Sequence, residues 1–143
     1  MTRSRHRPAG RPWCGLLLAA AVALGATGCG GPAPRQDAAA AAAAAFEAAA
    51  AADDHVRACA LLAPETRQQL EQNAQKTCPA AFASQELPTT RGIREVEAYG
   101  RQAMVRMEGD TLFLSLFTAG WKVMAAGCTP RPDQPYNCLI KGA

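Results

Sequence analysis

The sequence YGRQAMVRMEGDTLFLSLFTAGWKVMAA, residues 99–126, determines the class of fold. Apolar and polar residues alternate along much of it, which is typical of half-buried β-strands, and glycine-bearing pairs interrupt the alternation at nearly equal spacing. Together with the residues just before it, this stretch predicts four antiparallel strands joined by short turns. The strands are residues 93–99, 102–108, 111–118 and 121–126, and the turns are Gly100-Arg101, Gly109-Asp110 and Ala119-Gly120.

The third predicted strand is apolar on both faces. Leu112, Leu114 and Leu116 alternate along it with Phe113 and Phe117. Such a pattern is typical of a strand at the centre of a sheet that is covered on both sides. We therefore expect helices to cover one face of the sheet and another apolar group to cover the other.

The segment after the last predicted strand, residues 128–138, contains Pro130, Pro132 and Pro135. Proline lacks the N–H group that a strand interior needs for its ladder of hydrogen bonds. This segment therefore predicts an irregular loop, held by a disulfide between the cysteines at its two ends.

The residues before the sheet have helical patterns. Residues 38–52 are almost entirely alanine, which has the highest helix propensity, and they predict a helix. Phe46 is the one large apolar side chain of this helix and its expected contact with the core. Asp53 and Asp54 then interrupt the alanines, and either aspartate can cap the N-terminus of the next helix.

Two further helices are predicted before the sheet, over residues 55–62 and 65–76. In both, apolar residues recur at three- and four-residue spacing, and Pro64 suits the first turn of the second. The pair Cys78-Pro79 is expected to end that helix. The side chains expected to point inward are Val56, Cys59, Ala60 and Leu62 in the first and Leu70 and Ala74 in the second.

The N-terminus has the anatomy of an export signal. Four arginines precede an apolar stretch at residues 13–24, and small residues lead into a cysteine in Ala26-Thr27-Gly28-Cys29. Small residues that run directly into cysteine resemble a bacterial lipobox, in which the cysteine is lipidated and becomes the new N-terminus. The prediction is a signal peptide at residues 1–28, a lipidated cysteine and flexible tether at residues 29–37, and one α+β domain at residues 38–143.

Two alternatives to lipidation at Cys29 stay open. An apolar stretch of about 12 residues is short for a membrane-spanning helix, which needs about 20, but an uncleaved anchor is one alternative. Ordinary cleavage without a lipid is the other. The favoured localisation is the extracytoplasmic face of the cell membrane, with the lipid as the anchor.

Removal of the signal peptide changes the charge balance of the chain. Four of the 15 lysines and arginines lie before Cys29, and none of the 12 acidic residues does. The mature chain therefore has 11 basic and 12 acidic residues, a net charge of −1. This balance excludes a nucleic-acid partner held by a basic surface, and it gives no sign of an acidic metal buffer.

Four cysteines are left for the mature domain once Cys29 carries the lipid. Four cysteines allow three pairings, and we favour Cys59–Cys78 with Cys128–Cys138 because each pair closes a short segment. Zinc binding is a poor alternative, because the chain has no CxxC motif and His55 is the only histidine after the signal peptide. We expect structural disulfides and no metal or other cofactor.

In an α+β cone the helices come first and an antiparallel meander follows, which is the order predicted for this chain. Short motifs spread over residues 40–140 support such a fold. At this point the chain resembles the small NTF2-like (cystatin-like) domains of secreted actinobacterial lipoproteins. The resemblance implies helices packed on a curved four-stranded antiparallel meander, but not one chemistry, because this fold hosts enzymes, binding modules and assembly domains. The motifs are AF at 45–46, AAD at 51–53, ACALLAPET at 58–66, CP at 78–79, YG at 99–100, GDTLFL at 109–114, GWKV at 120–123, AAGCTP at 125–130 and PYNC at 135–138.

Candidate ligand contacts lie on the predicted strands. Polar side chains on the first two strands would contact a small ligand if they pointed into a concave face. The alternative is a solvated outer face for the polar residues and a core position for the aromatic ones. These candidates are Glu95, Glu97, Tyr99, Arg106, Phe117 and Trp121.

The pair Asp54-His55 resembles an acid–base dyad, but adjacent residues on a helix do not face each other. Helix capping by the aspartate is the favoured interpretation.

The function predicted from these observations is a membrane-anchored extracytoplasmic lipoprotein that acts as a non-enzymatic binding or interaction module. Its partner would be a cell-envelope protein or a small apolar ligand, and the sheet face could also form a homodimer. An accessory domain of a secretion or wall-synthesis machine is one alternative. A small enzyme of the cyclase or isomerase kind is another, and it would need a buried titratable pair inside the cone.

Overall fold

The structure, a computed structural model, describes residues 32–142 and has four helices followed by five strands. The strands form one antiparallel sheet in the order β1-β2-β3-β4-β5, so each strand pairs with its neighbour in sequence. This is an α+β meander, as the sequence predicted, with one more strand than expected. The helices are α1 (Pro32–Ala51), α2 (His55–Leu61), α3 (Pro64–Ala74) and α4 (Cys78–Phe82), and the strands are β1 (Arg91–Tyr99), β2 (Gln102–Glu108), β3 (Thr111–Phe117), β4 (Gly120–Arg131) and β5 (Gln134–Lys141).

The proline-containing segment is a β-hairpin, so the prediction of an irregular loop was wrong. β4 continues to Arg131, and Cys128 lies directly opposite Cys138 on β5. Past Ala125, β4 pairs with β5 alone, and β5 is an edge of the sheet. A proline nitrogen in such a hairpin can face away from the ladder, where its missing N–H leaves no partner unbonded.

The first helix begins at Pro32, six residues before the expected start, so residues 32–37 are not a flexible tether. Proline is tolerated in the first turn of a helix, because the N–H groups there have no partner within the helix. Side chains attach this part of α1 to β1 and to the turn after it. Gln36 Nε2 donates to the Val96 carbonyl at 3.2 Å, and Arg35 Nη1 donates to the Gly100 carbonyl at 3.5 Å.

Two of the four side chains expected to point inward from the second helix, Cys59 and Leu62, are buried. The other two are not, since Val56 is 69% exposed and Ala60 is also exposed, and Ala58 is buried instead. Asp54 caps this helix, as its side chain accepts the Arg57 backbone N–H at 3.1 Å. Only seven residues long, α2 is oriented by its contacts with α1 and α4 more than by its own pattern.

The helix α3 ends before Cys78-Pro79, as predicted. The difference from the prediction is a short fourth helix, α4, which begins at that pair. Its last residue, Phe82, is buried and lies edge-on to the Phe46 ring, with ring centroids 5.7 Å apart. Phe46 itself is fully buried, so it is the contact with the core that the sequence predicted.

The core lies between the helices and one face of the sheet. Alternate residues of the central strands, such as Val105, Leu114 and Val123, are buried on that face. The helical layer joins the sheet through backbone contacts as well, since the Ala63 N–H donates to the Val123 carbonyl at 2.8 Å.

Both disulfides have the pairing that the sequence favoured. Cys59–Cys78 joins α2 to the start of α4, with the Cα atoms 6.0 Å apart. Cys128–Cys138 joins the two strands of the β4–β5 hairpin.

The predicted signal peptide, Cys29 and the first two residues of the predicted tether lie outside the described residues. Within residues 32–142, no helix has the length and hydrophobicity needed to cross a membrane.

Candidate functional site

The face of the sheet away from the helices, called the open face here, carries most of the predicted ligand contacts. The strand register places Glu97 beside Met104, Met104 beside Phe113, and Phe113 beside Ala125 on this face. Tyr136, from the β4–β5 hairpin, packs edge-on against Phe113, with ring centroids 5.1 Å apart. The hairpin therefore supplies the apolar cover that the sequence predicted for the second face of β3.

Charged residues lie together at one side of the open face. Arg106 Nη1 donates to Glu97 Oε1 at 2.7 Å and also to Glu95 Oε2. Hydrogen bonds to Glu97, Tyr136 and Glu95, in that order of size, raise the pKa of Arg106 above its ordinary value. The guanidinium group is thus held in place between two carboxylates. The structure brings these three predicted residues together.

A small apolar slot lies next to this cluster. Its volume is about 180 Å³, and it opens on the same face of the sheet. Tyr99, at the end of β1, is 75% exposed and forms one wall of the slot. The lining residues are Glu97, Tyr99, Gln102, Ala103, Met104 and Phe113, and this set is called the sheet slot below.

The two aromatic candidates on β3 and β4 lie on opposite faces. Phe117 is half-buried and belongs to the open face, since it alternates with Leu116 along β3. Trp121 lies opposite Leu116, is 8% exposed and belongs to the core under the helices. Trp121 therefore has the core position that the sequence analysis gave as the alternative, and it is not a ligand contact on the open face.

The Asp54-His55 pair is not an acid–base dyad. Asp54 caps α2, and the nearest carboxylate to the imidazole is that of Asp53, with His55 Nε2 and Asp53 Oδ1 3.7 Å apart. The His55 ring lies against Phe82, with centroids 5.7 Å apart. These contacts assign Asp54 a structural role and place His55 on the wall of a different cavity.

Asp110 is buried in the β2–β3 turn and binds three backbone N–H groups. Its Oδ1 accepts from Thr111 at 2.6 Å and from Cys128 at 2.7 Å, and its Oδ2 accepts from Gly127 at 2.8 Å. Burial raises the pKa of Asp110, and the three hydrogen bonds act against that rise. The side chain joins a turn to β4 and has its oxygens occupied, which is a structural role.

Glu47 is the unexpected residue of this structure. It lies on α1 beside Phe46 and is only 7% exposed. Its Oε2 accepts the Thr90 hydroxyl at 2.8 Å, and its Oε1 has no hydrogen-bond partner among the described residues. Burial raises the pKa of Glu47 to about 7; the Thr90 hydrogen bond lowers it, and the charge of Asp110 adds a smaller rise.

A buried Glu47 was hard to expect from the sequence. In a helix made of alanine every face is apolar, so no pattern identifies the face that is buried. One indication was available: Glu47 is four residues after Ala43 and adjacent to Phe46, and both of these are buried. A helical wheel centred on Phe46 would have placed the carboxylate at the edge of the core.

Within residues 32–142 there is no group of three or more histidine, cysteine, aspartate or glutamate side chains arranged to hold a metal ion. Comparison of the chain with protein-family models, with curated proteins and with solved structures finds no match. Any function for this chain is therefore inferred from the chemistry of the open face and of the surroundings of Glu47.

Proposed function

We propose that this chain is a lipid-anchored extracytoplasmic module that binds a membrane-associated protein of the cell envelope through the open face of its sheet. The observation that carries the proposal is the sheet slot, an apolar opening beside the fixed Arg106–Glu97 pair. The export signal, the lipidated Cys29 and membership of the NTF2-like lipoproteins are parts of the same proposal, supported by the sequence patterns described above.

The size of the slot favours a protein partner over a free ligand. Sites for small molecules have volumes of about 300–1,000 Å³, whereas the sheet slot has about 180 Å³. A space of that size accommodates one apolar side chain. Interfaces between proteins commonly centre on such an anchor side chain in a pocket, with polar groups around it, as Glu97 and Gln102 are here.

The position of the slot favours a partner at the membrane. Two residues, Gly30 and Gly31, separate Cys29 from Pro32, and the three steps from Cα to Cα span at most about 11 Å. The start of α1 lies against the β1–β2 hairpin, where Arg35 reaches the Gly100 carbonyl. A lipid on Cys29 would therefore keep Tyr99 and the mouth of the slot within roughly 20–25 Å of the membrane surface.

The charge of the mature chain agrees with a protein partner of this kind. A net charge of −1 gives no strong field that would attract nucleic acid. If the partner belongs to a larger machine, this chain would be an accessory domain of a secretion or wall-synthesis complex.

Photo-crosslinking in the membrane tests the proposal. A benzophenone amino acid replaces Tyr99 in the full chain, and the control carries it at Val56, which is 69% exposed on α2. We expect irradiation to give one adduct with a membrane-associated protein from position 99 and none from position 56. The partner is then purified, and its Kd is measured for wild type, Met104→Glu and the volume-conserving control Met104→Leu.

A charge in the slot should weaken binding at least about tenfold, while leucine should leave Kd within about twofold, because it preserves the apolar lining. Equal adducts from both positions would contradict the proposal, as would equal Kd values for the glutamate and leucine variants. An adduct between two copies of this chain would show that the open face forms a homodimer and does not bind an envelope protein. A small molecule bound at the slot would show that the site binds a ligand.

A further inference from the structure

A partly open cavity beside the buried Glu47 lies at the far end of α1 from the proposed anchor. It has a volume of about 380 Å³ and is bounded by the C-terminal end of α1, by α4 and by the connection from residue 83 to residue 90. This volume falls in the range of small-molecule sites, in contrast to the sheet slot. It is called the Glu47 cavity below.

The walls of this cavity favour a positive charge. Three acidic residues, Glu47, Asp53 and Glu86, line it, and none of its described lining residues is a lysine or arginine. Ala50 and Ala51 also line it, and they belong to the last turn of α1. The aligned peptide dipoles give the carboxyl end of a helix a partial negative charge, so it attracts a cation as the carboxylates do.

Apolar and aromatic groups complete the walls. Phe82 and His55 lie ring against ring at one side, and Leu87 and Pro88 come from the connection after α4. Aromatic faces next to carboxylates are suited to an organic cation, which has both a charge and an apolar part. A bare metal ion would prefer more oxygen or nitrogen ligands than this cavity offers.

One carboxylate oxygen beside the cavity lacks a partner among the described residues. Glu47 Oε2 is bonded to Thr90, but Oε1 has no donor there and no surface open to water. A buried oxygen without a donor carries a desolvation cost that an incoming donor would remove. Because Oε1 has no open surface, an ammonium group in the cavity would contact it only after the Glu47 side chain turns toward the cavity.

We propose that the Glu47 cavity is a binding site for a small organic amine in its ammonium form, with the Glu47 carboxylate as its counter-ion and Phe82 as the wall for its apolar part. This site is independent of the partner on the open face, because it lies at the opposite end of α1 from the residues that contact the β1–β2 hairpin. Either proposal can fail without affecting the other.

Binding of benzylamine to the full chain, followed by NMR and calorimetry, tests this site. Benzylamine has an ammonium group and one aromatic ring, and benzyl alcohol is the matched uncharged probe. The test variant is Glu47→Gln, which preserves the shape and the acceptor for Thr90 while it removes the charge. The control variant is Glu65→Gln, which removes the same charge from an exposed position on α3 outside the cavity.

We expect benzylamine to shift the backbone resonances of Ala51 and Thr90 and to bind wild type and Glu65→Gln with Kd values within about twofold of each other. Glu47→Gln and benzyl alcohol should each weaken binding by at least about tenfold. Equal affinity of wild type and Glu47→Gln would overturn the proposal. Absence of binding to wild type at about 10 mM benzylamine would overturn it too.

The pH dependence gives a second readout. An ammonium ion pairs with the ionised carboxylate, so affinity for wild type should rise between about pH 5 and about pH 8, where Glu47 loses its proton. The other charged or titratable groups around this carboxyl are Asp53, His55, Glu86 and, from the β2–β3 turn, Asp110. All of these groups are retained in Glu47→Gln. If the rise of affinity with pH disappears in this variant, it is therefore caused by the ionisation of Glu47.

Discussion

Replacement of Glu47 by glutamine should make the folded protein more stable at neutral pH, although it removes a charged side chain from a helix. Glu47 is 7% exposed, one of its oxygens has no donor among the described residues, and burial raises its pKa from the ordinary value of 4.5 to about 7. Glutamine has nearly the same shape and still accepts the Thr90 hydroxyl. The substitution therefore isolates the effect of the buried charge.

The magnitude follows from proton linkage. Between pH 4.5 and about 7 the folded protein holds a proton on Glu47 that the unfolded chain has already released. The free energy of unfolding therefore falls as pH rises through this window, by about 1.4 kcal/mol per unit and about 3 kcal/mol in total. Below pH 4.5 this stabilising contribution of Glu47 is fully present, and above about pH 7 it is lost. The free energy of unfolding of Glu47→Gln should not fall with pH in this way.

Urea unfolding at about pH 4.5, 6 and 8, with both disulfides intact, measures the effect. Relative to wild type, Glu47→Gln should be about equal at the lowest pH and about 3 kcal/mol more stable at the highest. Glu65→Gln, on the exposed face of α3, should follow wild type within about 0.5 kcal/mol. A stability difference that does not change with pH would show that Glu47 is not a buried carboxyl with a raised pKa.

Three other substitutions test the structural roles assigned above. Phe46→Ala should lower the free energy of unfolding by about 3–5 kcal/mol, as measured by urea, because it empties a fully buried site beneath Phe82. Asp110→Asn should cost about 2 kcal/mol and speed hydrogen exchange of the Gly127 amide, because an amide cannot accept all three backbone N–H groups. The double variant Cys59→Ala, Cys78→Ala should lose about 3 kcal/mol in the same urea assay, since this bridge closes a separation of 19 residues.

Much of the sheet was predictable because its turns depend on local chemistry. Gly100 and Gly109 have φ values of 59° and 106°, which only glycine adopts readily, and they lie between β1 and β2 and between β2 and β3. At Gly109 a side chain would also meet the carbonyl oxygen of Thr89, which is distant in sequence, at 2.6 Å. The glycine turns themselves are visible in a single sequence.

The parts that were not predictable depend on neighbours in space. Pro135 argues against a strand, yet β5 accommodates it because an edge strand has one side without partners. Pro32 looked like part of a tether, yet α1 begins there and contacts β1 through Gln36. In both cases the tertiary context decides between two structures that the local sequence permits.

The candidate site also has parts that the sequence predicts and parts that it does not. The sequence identified Glu95, Glu97 and Arg106 as polar residues of the first two strands, and the structure joins them by hydrogen bonds. Alternation could not decide which face β4 presents to the helices, so Trp121 was a candidate although it belongs to the core. Glu47 was missed because its helix has no polar face with which to compare it.

We propose above all that this chain is exported, anchored by a lipid on Cys29 and held with its sheet slot near the membrane. The decisive experiment is the intact mass of the full-length gene product, extracted with detergent from the membranes of a Gram-positive host. We expect a chain that begins at Cys29, carries the added mass of the lipid, and lies about 4 Da below the reduced mass because of its two disulfides. A chain that retains residues 1–28, has no lipid, or has four free thiols would contradict this proposal.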